Sequence, residues 1–206
     1  SPRRPGGRRR RQPSAPQQHT HPPRGGSPLP QQTYKTSPLV VGGATKNPPR
    51  HTMSPAMLAL LQHPEQLARL RDDPSLIPGA VEEFLRWASP VYHFRRTATR
   101  DVELGGKRIR EGDKVVMWFA SGNRDEEVFG NPYDFDVTRT HNDHVTFGKG
   151  SPHLCLGNLL ARTEIRIMFE ELIPRLADIR LAGDVPRVRS NFVNGIKKLP
   201  VEVTLA

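Results

Sequence analysis

The stretch Phe147-Gly-Lys-Gly-Ser-Pro-His-Leu-Cys-Leu-Gly-Asn158 holds the only cysteine of the chain. A single thiol cannot close an internal disulfide. Cys155 is therefore a small buried hydrophobe, a reactive nucleophile, or one soft ligand to a metal held mainly by something else. Its setting argues against the first use. A helical pattern begins directly after the sulfur, and the free amides of a helix start favour a thiolate over a thiol. Gly157, lacking a side chain, lets a flat ligand lie close to the backbone.

Three other groups could do chemistry. Glu83 and Arg86 stand three apart in an amphipathic segment, close enough to pair either in solvent or in the interior. Arg95 and Arg96 are adjacent in an alternating segment, so they face opposite ways and only one can serve a given site. His141 and His144, with Cys155, suggest a zinc site. Their spacing is irregular and no fourth ligand offers itself, so zinc is the weaker use.

These residues need a scaffold. Met57 to Arg71 reads as a helix pair broken at His63-Pro64, with Leu67 and Leu70 spacing the second buried face. Residues 76–87 form an amphipathic helix whose apolar face is Ile77, Ala80, Val81, Phe84 and Trp87, and Pro90 lies just beyond it. Arg95 to Thr99 is a short strand, Val102–Arg110 a hairpin turning at Gly105-Gly106, and Lys114–Ala120 a buried strand. Ser121 to Pro132 is helix then turn. Leu159 to Leu176 is a long helix with Leu160, Ile165, Ile167, Met168, Phe169 and Leu172 as its apolar set. The tail from Val188 to Val203 returns as strands, with a hairpin turn at Asn194-Gly195. The fold class is mainly α with small β-sheets.

The formal net charge is +10. Its location removes most of its meaning. Residues 1–64 contain no Asp or Glu, and ten of the 31 basic residues occur by Arg50; the other 21 balance the 21 acidic ones. Residues 1–37 are Pro, Gly, Arg, Gln and Ser with few apolar side chains, a composition that predicts a disordered basic segment. Arg8–Arg11 could neutralise phosphates, yet no aromatic interleaving, recognition helix or zinc spacing accompanies them, so no specific nucleic acid is expected. No apolar run resembles a secretory signal or spans a bilayer, and the single thiol suits a reducing, cytoplasmic setting.

Residues 38–55 are discordant. Pro38-Leu-Val-Val-Gly-Gly opens like a buried helix or strand, and Pro48, Pro49 and Pro55 then each remove a donor and restrict the preceding residue. A continuous helix is not expected there.

The cysteine stretch resembles the haem-binding loop of the cytochrome P450 family, Phe-x-x-Gly-x-x-x-Cys-x-Gly, often with His two before the Cys and Ala six after. Cys155, Gly157, His153 and Ala161 match, while Phe147 and Gly150 lie one residue further upstream. The longer loop Phe-Gly-x-x-Gly-x-His-x-Cys is similar to that of actinobacterial members acting on sterol side chains and branched lipids. Glu83-x-x-Arg86 resembles the family's second signature. The resemblance covers about residues 38–206, strongly from 57, and corresponds to the C-terminal part of the fold, a partial haem domain.

The resemblance implies haem b with Cys155 as iron ligand, Gly157 in the cofactor loop, and Arg96 and His153 toward the propionates. It implies a buried structural network of Glu83, Arg86 and Arg139, with Val91, Tyr92, Phe192 and Val193 lining a substrate pocket. The implied reaction is hydroxylation of an unactivated C–H bond in a small hydrophobic substrate by O₂, with electrons from ferredoxin and ferredoxin reductase or an equivalent donor. Where the family's central helix carries an acid-threonine pair, this chain has Pro48-Pro49, and the family pattern resumes from Met53. An upstream segment read out of frame is the expectation that follows, with an inactive fragment as the alternative to a working enzyme.

Overall fold

The apolar face on residues 76–87 becomes the centre of the molecule. In the computed structural model, which describes residues 38–206 with side chains from Pro49 onward, α1 (Pro38–Gln62) leads through α2 (Pro64–Asp72) and a 3-10 turn (Pro74–Leu76) into α3 (Ile77–Ala88). Ile77, Ala80, Val81, Phe84 and Leu85 are all buried. Phe84 packs against Phe169 with ring centroids 4.6 Å apart and stacks on Phe135 at 6.1 Å. Fully burying one such ring contributes about 1.5–3 kcal/mol, so this aromatic spine is a principal source of stability. The predicted disordered segment 1–37 lies outside the described residues.

After α3, β1 (His93–Thr97), β2 (Val102–Leu104), β3 (Lys107–Ile109) and β4 (Lys114–Trp118) follow closely. β1 pairs antiparallel with β4, and β2 with β3. The turn between β2 and β3 falls on Gly105 and Gly106, with φ of 56° and 69°. Two successive positive φ values suit glycine and match the right-handed twist of the strands. The short α4 (Phe119–Gly122) opens a long irregular segment, and α5 (Asn158–Leu172) closes it. A 3-10 turn (Ile173–Arg175) then leads into β5 (Leu176–Leu181), which pairs antiparallel with β6 (Val201–Leu205).

Five expectations change. Helix α1 runs through Pro48, Pro49 and Pro55. Its second half is fastened by buried Ala56, Met57, Ala59 and Leu60, and Pro49 is itself buried, so packing outweighs the lost backbone bonds. The Lys114–Trp118 strand is largely exposed, because its sheet has only two strands and Trp118 remains 56% accessible. The last long helix stops at Leu172, two residues before Pro174, which cannot donate onward. Only Ile165 and Phe169 of α5 are buried, while Leu160 and Ile167 face outward. The contact face is the four-residue stripe through Ala161, Ile165 and Phe169, which a looser apolar count obscures.

The fifth change concerns Asn194-Gly195. This pair is no turn: it sits on a returning arm, where Val188 N–H donates to Gly195 O and Arg187 bridges Ile196. The reversal falls at Ser190, whose Oγ accepts from the amides of Phe192 and Val193. Gly195 is required for a different reason. A Cβ there would lie 2.5 Å from His51 Nδ1 and 3.1 Å from Val188 Cγ2. Asn194 is held by its side chain, which donates to Ala88 O and accepts from Tyr92 Oη.

Candidate functional site

The cysteine loop is built from consecutive tight turns. Gly148 N–H donates to Val145 O, Ser151 N–H to Gly148 O, and Leu154 N–H to Ser151 O. Gly148 and Gly150 adopt φ of 73° and 76°, the left-handed region that glycine reaches without strain. These two glycines let a loop with one residue more than the shorter pattern still close: Cys155 N–H returns to Phe147 O at 2.9 Å. Helix α5 starts at Asn158, so two residues of turn separate it from the sulfur. Asn158 caps the arrangement by donating from Nδ2 to Cys155 O at 2.6 Å.

Cys155 is exposed, and it borders a cavity of about 540 Å³. Most of the wall is apolar: Leu85, Val91, Phe94, Phe119 and Phe147 contribute, with Pro49 and Thr52 from α1. Arg96 and His153 also reach this wall. Arg96 shares its strand face with Phe94 and places its guanidinium 5.8 Å from that ring centre. Arg95 does not line the cavity, as the alternation of β1 requires. Gly157 has an ordinary φ of −85°, and a Cβ on it would meet no atom of the described residues. Neither backbone strain nor packing among the described residues demands glycine there.

Glu83 and Arg86 are completely buried on α3. Their pairing is bidentate, with Arg86 Nε and Nη2 each 2.7 Å from a carboxylate oxygen. Glu83 also accepts from Asp136 N–H and Asn142 Nδ2, and Arg139 Nε lies 3.3 Å from its Oε2. Arg86 satisfies its other donors on the carbonyls of Asn123, Pro132 and Asp134. The loop 123–142 is thus wrapped around one ion pair, which fits the fork geometry of guanidinium.

Of the residues expected in a substrate pocket, Val91 lines the cavity and Tyr92, Phe192 and Val193 do not. Tyr92 and Phe192 are joined by a backbone hydrogen bond, and Val193 bridges Val91, so the three form the seam behind the wall. No group of three His, Cys, Asp or Glu side chains suited to a metal ion occurs among the described residues. His144 is buried and its Nε2 lies 3.0 Å from Glu82 Oε2 instead.

The cytochrome P450 family model matches residues 50–177. The chain belongs to the cytochrome P450 family. It is 48% identical over 151 residues to cytochrome P450-terp of a Pseudomonas species, covering 73% of this chain and 35% of that protein. It is 46% identical over 164 residues to a methyl-branched lipid omega-hydroxylase of Mycobacterium tuberculosis, covering 79% of this chain and 38% of that protein. Among solved structures, a Mycobacterium marinum cytochrome P450 in complex with pseudoionone superposes with a TM-score of 0.75 at 46% identity, covering 79% of this chain and 39% of that one. The chain therefore spans well under half the length of the relatives it matches.

Haem b, bound through a cysteine thiolate, is the cofactor of cytochrome P450 enzymes. The residues present in this P450 chain fit such a group. One soft ligand, one guanidinium and one imidazole stand on a mostly apolar wall whose other polar side chains are Thr52 and Thr146, the donor set that an iron with two anionic side arms needs. Gly157 does not itself line the cavity, and the space over its Cα is open among the described residues.

Sequence reasoning about this P450 chain missed two hubs. Asn123 is fully buried, donates to Ser89 Oγ and Thr146 Oγ1, and accepts from Val145 N–H. It locks the end of α3 to the entry of the cysteine loop. Glu82, next to Glu83, takes a bidentate contact from Arg162 at 2.6 and 2.9 Å in addition to that of His144. Burial alone would raise the Glu82 pKa, but the hydrogen bonds and charges of His144 and Arg162 outweigh it and bring it down to about 2. Alternate residues Asn142, His144 and Thr146 each dock on α3, at Glu83, Glu82 and Leu85 O respectively. That two-residue alternation was the available signal.

Proposed function

We propose that Cys155 is the thiolate ligand of the haem iron, that Arg96 and His153 hold its propionates, and that Gly157 clears its face. The protein carrying this site hydroxylates a C–H bond of a small hydrophobic molecule. The observation that carries this reading is the convergence of Cys155, Arg96 and His153 on one apolar cavity. When bound, the cofactor supplies oxygen activation, with thiolate donation favouring O–O cleavage. The chain contributes the rest. Phe94, Phe119, Phe147 and Val91 exclude water and present an apolar surface to the substrate. Phe94 orients the Arg96 guanidinium across its ring. Names such as methyl-branched lipid omega-hydroxylase among relatives support an extended hydrophobic substrate.

Electrons come from a ferredoxin and ferredoxin reductase or an equivalent donor in the cytoplasm, where a single thiol stays reduced. No helix among the described residues is long and apolar enough to cross a membrane. Glu83, Arg86 and Arg139 serve as the structural frame of the site. The decisive test is the reduced carbon-monoxide difference spectrum of the haem-loaded protein. Cys155→Ala should abolish the red-shifted band of thiolate-ligated haem, and a variant that keeps this band would sink the ligand assignment.

A second reading is favoured by a specific observation: these 206 residues alone bind cofactor poorly and do not turn over. Cys155 is exposed, and Leu154, Leu156, Leu159 and Leu160 around it are 48–94% accessible. Helix α1 has Pro48-Pro49 where an acid-threonine pair would deliver protons. The purified chain, given haem, ferredoxin, reductase, NADPH and a panel of sterols, fatty acids and terpenes, should form no product above free haemin. Coupled product formation would refute this.

A further inference from the structure

Arg162 reaches both backbone groups of Cys155 without touching the cysteine. Its guanidinium stacks on the Phe147 ring, 4.6 Å from the centroid, and Phe147 O accepts the Cys155 N–H. Its Nη1 donates to Asn158 Oδ1 at 3.1 Å, and Asn158 Nδ2 donates to Cys155 O at 2.6 Å. The carbonyl and amide of the cysteine are therefore each fixed by a residue that Arg162 holds. Arg162 is itself held by the bidentate contact to Glu82, whose Oε2 also meets His144 Nε2. The imidazole is oriented in turn, since its Nδ1 faces the Thr146 N–H at 3.3 Å.

We infer that Glu82, Arg162 and His144 form a second carboxylate network whose task is to position Cys155, separate from the Glu83 network that frames the loop 123–142. Glu82 and Glu83 are neighbours on α3, so their side chains leave the helix about 100° apart, one toward α5 and the other toward the irregular segment. A planar guanidinium can stack on a ring with its face while its edges make in-plane hydrogen bonds; an ammonium cannot. Glu82, Arg162 and His144 are positioning residues: they act through Phe147 and Asn158. Their consequence for iron ligation rests on the reading of Cys155 as ligand, but the positioning itself does not.

The test uses the full 206-residue chain without cofactor, following amide hydrogen exchange by peptide. Arg162→Ala, Glu82→Gln, Phe147→Leu and Asn158→Ala should each speed exchange of the Cys155 amide and its loop, while protection of α1 and the central turns of α3 is unchanged. Arg162→Lys, which keeps charge and loses the fork, should rescue only in part. Arg166→Ala, which breaks the exposed 3.7 Å pair with Glu170 on the same helix, should leave the loop as it was. If Arg162→Ala and Glu82→Gln do not fold, Phe147→Leu and Asn158→Ala decide, since neither removes a charge. Unchanged loop exchange in folded variants overturns the inference, and so does uniform acceleration of all amides, which would mark plain stabilisation. Loss of the thiolate band in Cys155→Ala reports on ligation separately, so either idea can fail alone.

Discussion

Glu83→Ala is the sharpest perturbation of the frame around the site. Glu83 has no accessible surface, and its carboxylate accepts two hydrogen bonds from Arg86, one from Asp136 N–H and one from Asn142, with Arg139 Nε at 3.3 Å. Removing it strands a fully buried guanidinium that keeps only uncharged partners, the carbonyls of Asn123, Pro132 and Asp134 and the rings of Phe129 and Trp87. Carbonyl oxygens solvate a cation in part but do not neutralise it, and breaking a buried pair by deleting one partner costs about 3–5 kcal/mol. Glu83→Gln should also fall in the upper part of the usual mutational range, because its amide N–H₂ would face Arg86 donors across a 2.7 Å gap. Urea denaturation followed by far-ultraviolet circular dichroism reads the loss as a lowered midpoint at constant slope. Arg108→Ala, which breaks an exposed pair with Asp101, is the control and should leave the midpoint where it was. A Glu83→Ala loss below about 1 kcal/mol would refute the reasoning, because that is the scale of an exposed pair.

Gly195→Ala should destabilise by about 1–3 kcal/mol, since its Cβ would meet His51 Nδ1 at 2.5 Å. His51→Ala in the same chain should recover part of that loss in the same urea assay. Acid should weaken the Glu82 network in a defined window. Its pKa falls from 4.5 to about 2 on folding, so the stabilisation is complete above the unfolded value and is lost as pH drops through the folded one. Urea midpoints measured from pH 5 down to pH 2 should therefore fall less steeply in Glu82→Gln than in the parent chain, and parallel curves would exclude the carboxylate as the cause. The Cys155→Ala spectrum completes the set through loss of the thiolate band.

Local spacing carried most of what could be read before any coordinates. The cysteine loop was legible because Cys155 and its glycines lie within a dozen residues, where sequence distance and spatial distance are nearly the same. The face of α3 was legible because a 3.6-residue period states which side chains share a side. Gly105-Gly106 was legible because a two-residue turn needs nothing from the rest of the molecule. Glu83-x-x-Arg86 was legible as a pair, but the spacing was equally compatible with a solvated one.

Tertiary packing decided the rest. Whether a carboxylate faces water or a guanidinium 80 residues away depends on how α5 crosses α3, and no local period encodes that for Glu82 and Arg162. The use of Asn123, which joins Ser89, Thr146 and Val145, is hidden for the same reason. Asn194-Gly195 carries the composition of a hairpin turn, yet His51 from α1 takes the space that only glycine leaves, and Asn194 spends its amide on Ala88 O. Prolines at 48, 49 and 55 argue against a helix by themselves, and buried Ala56, Met57, Ala59 and Leu60 hold one together. Backbone preferences are worth one to three kcal/mol at a position, whereas a helix face buried against two others gathers several side chains of about 1.5–3 kcal/mol each, so packing prevails where the two disagree.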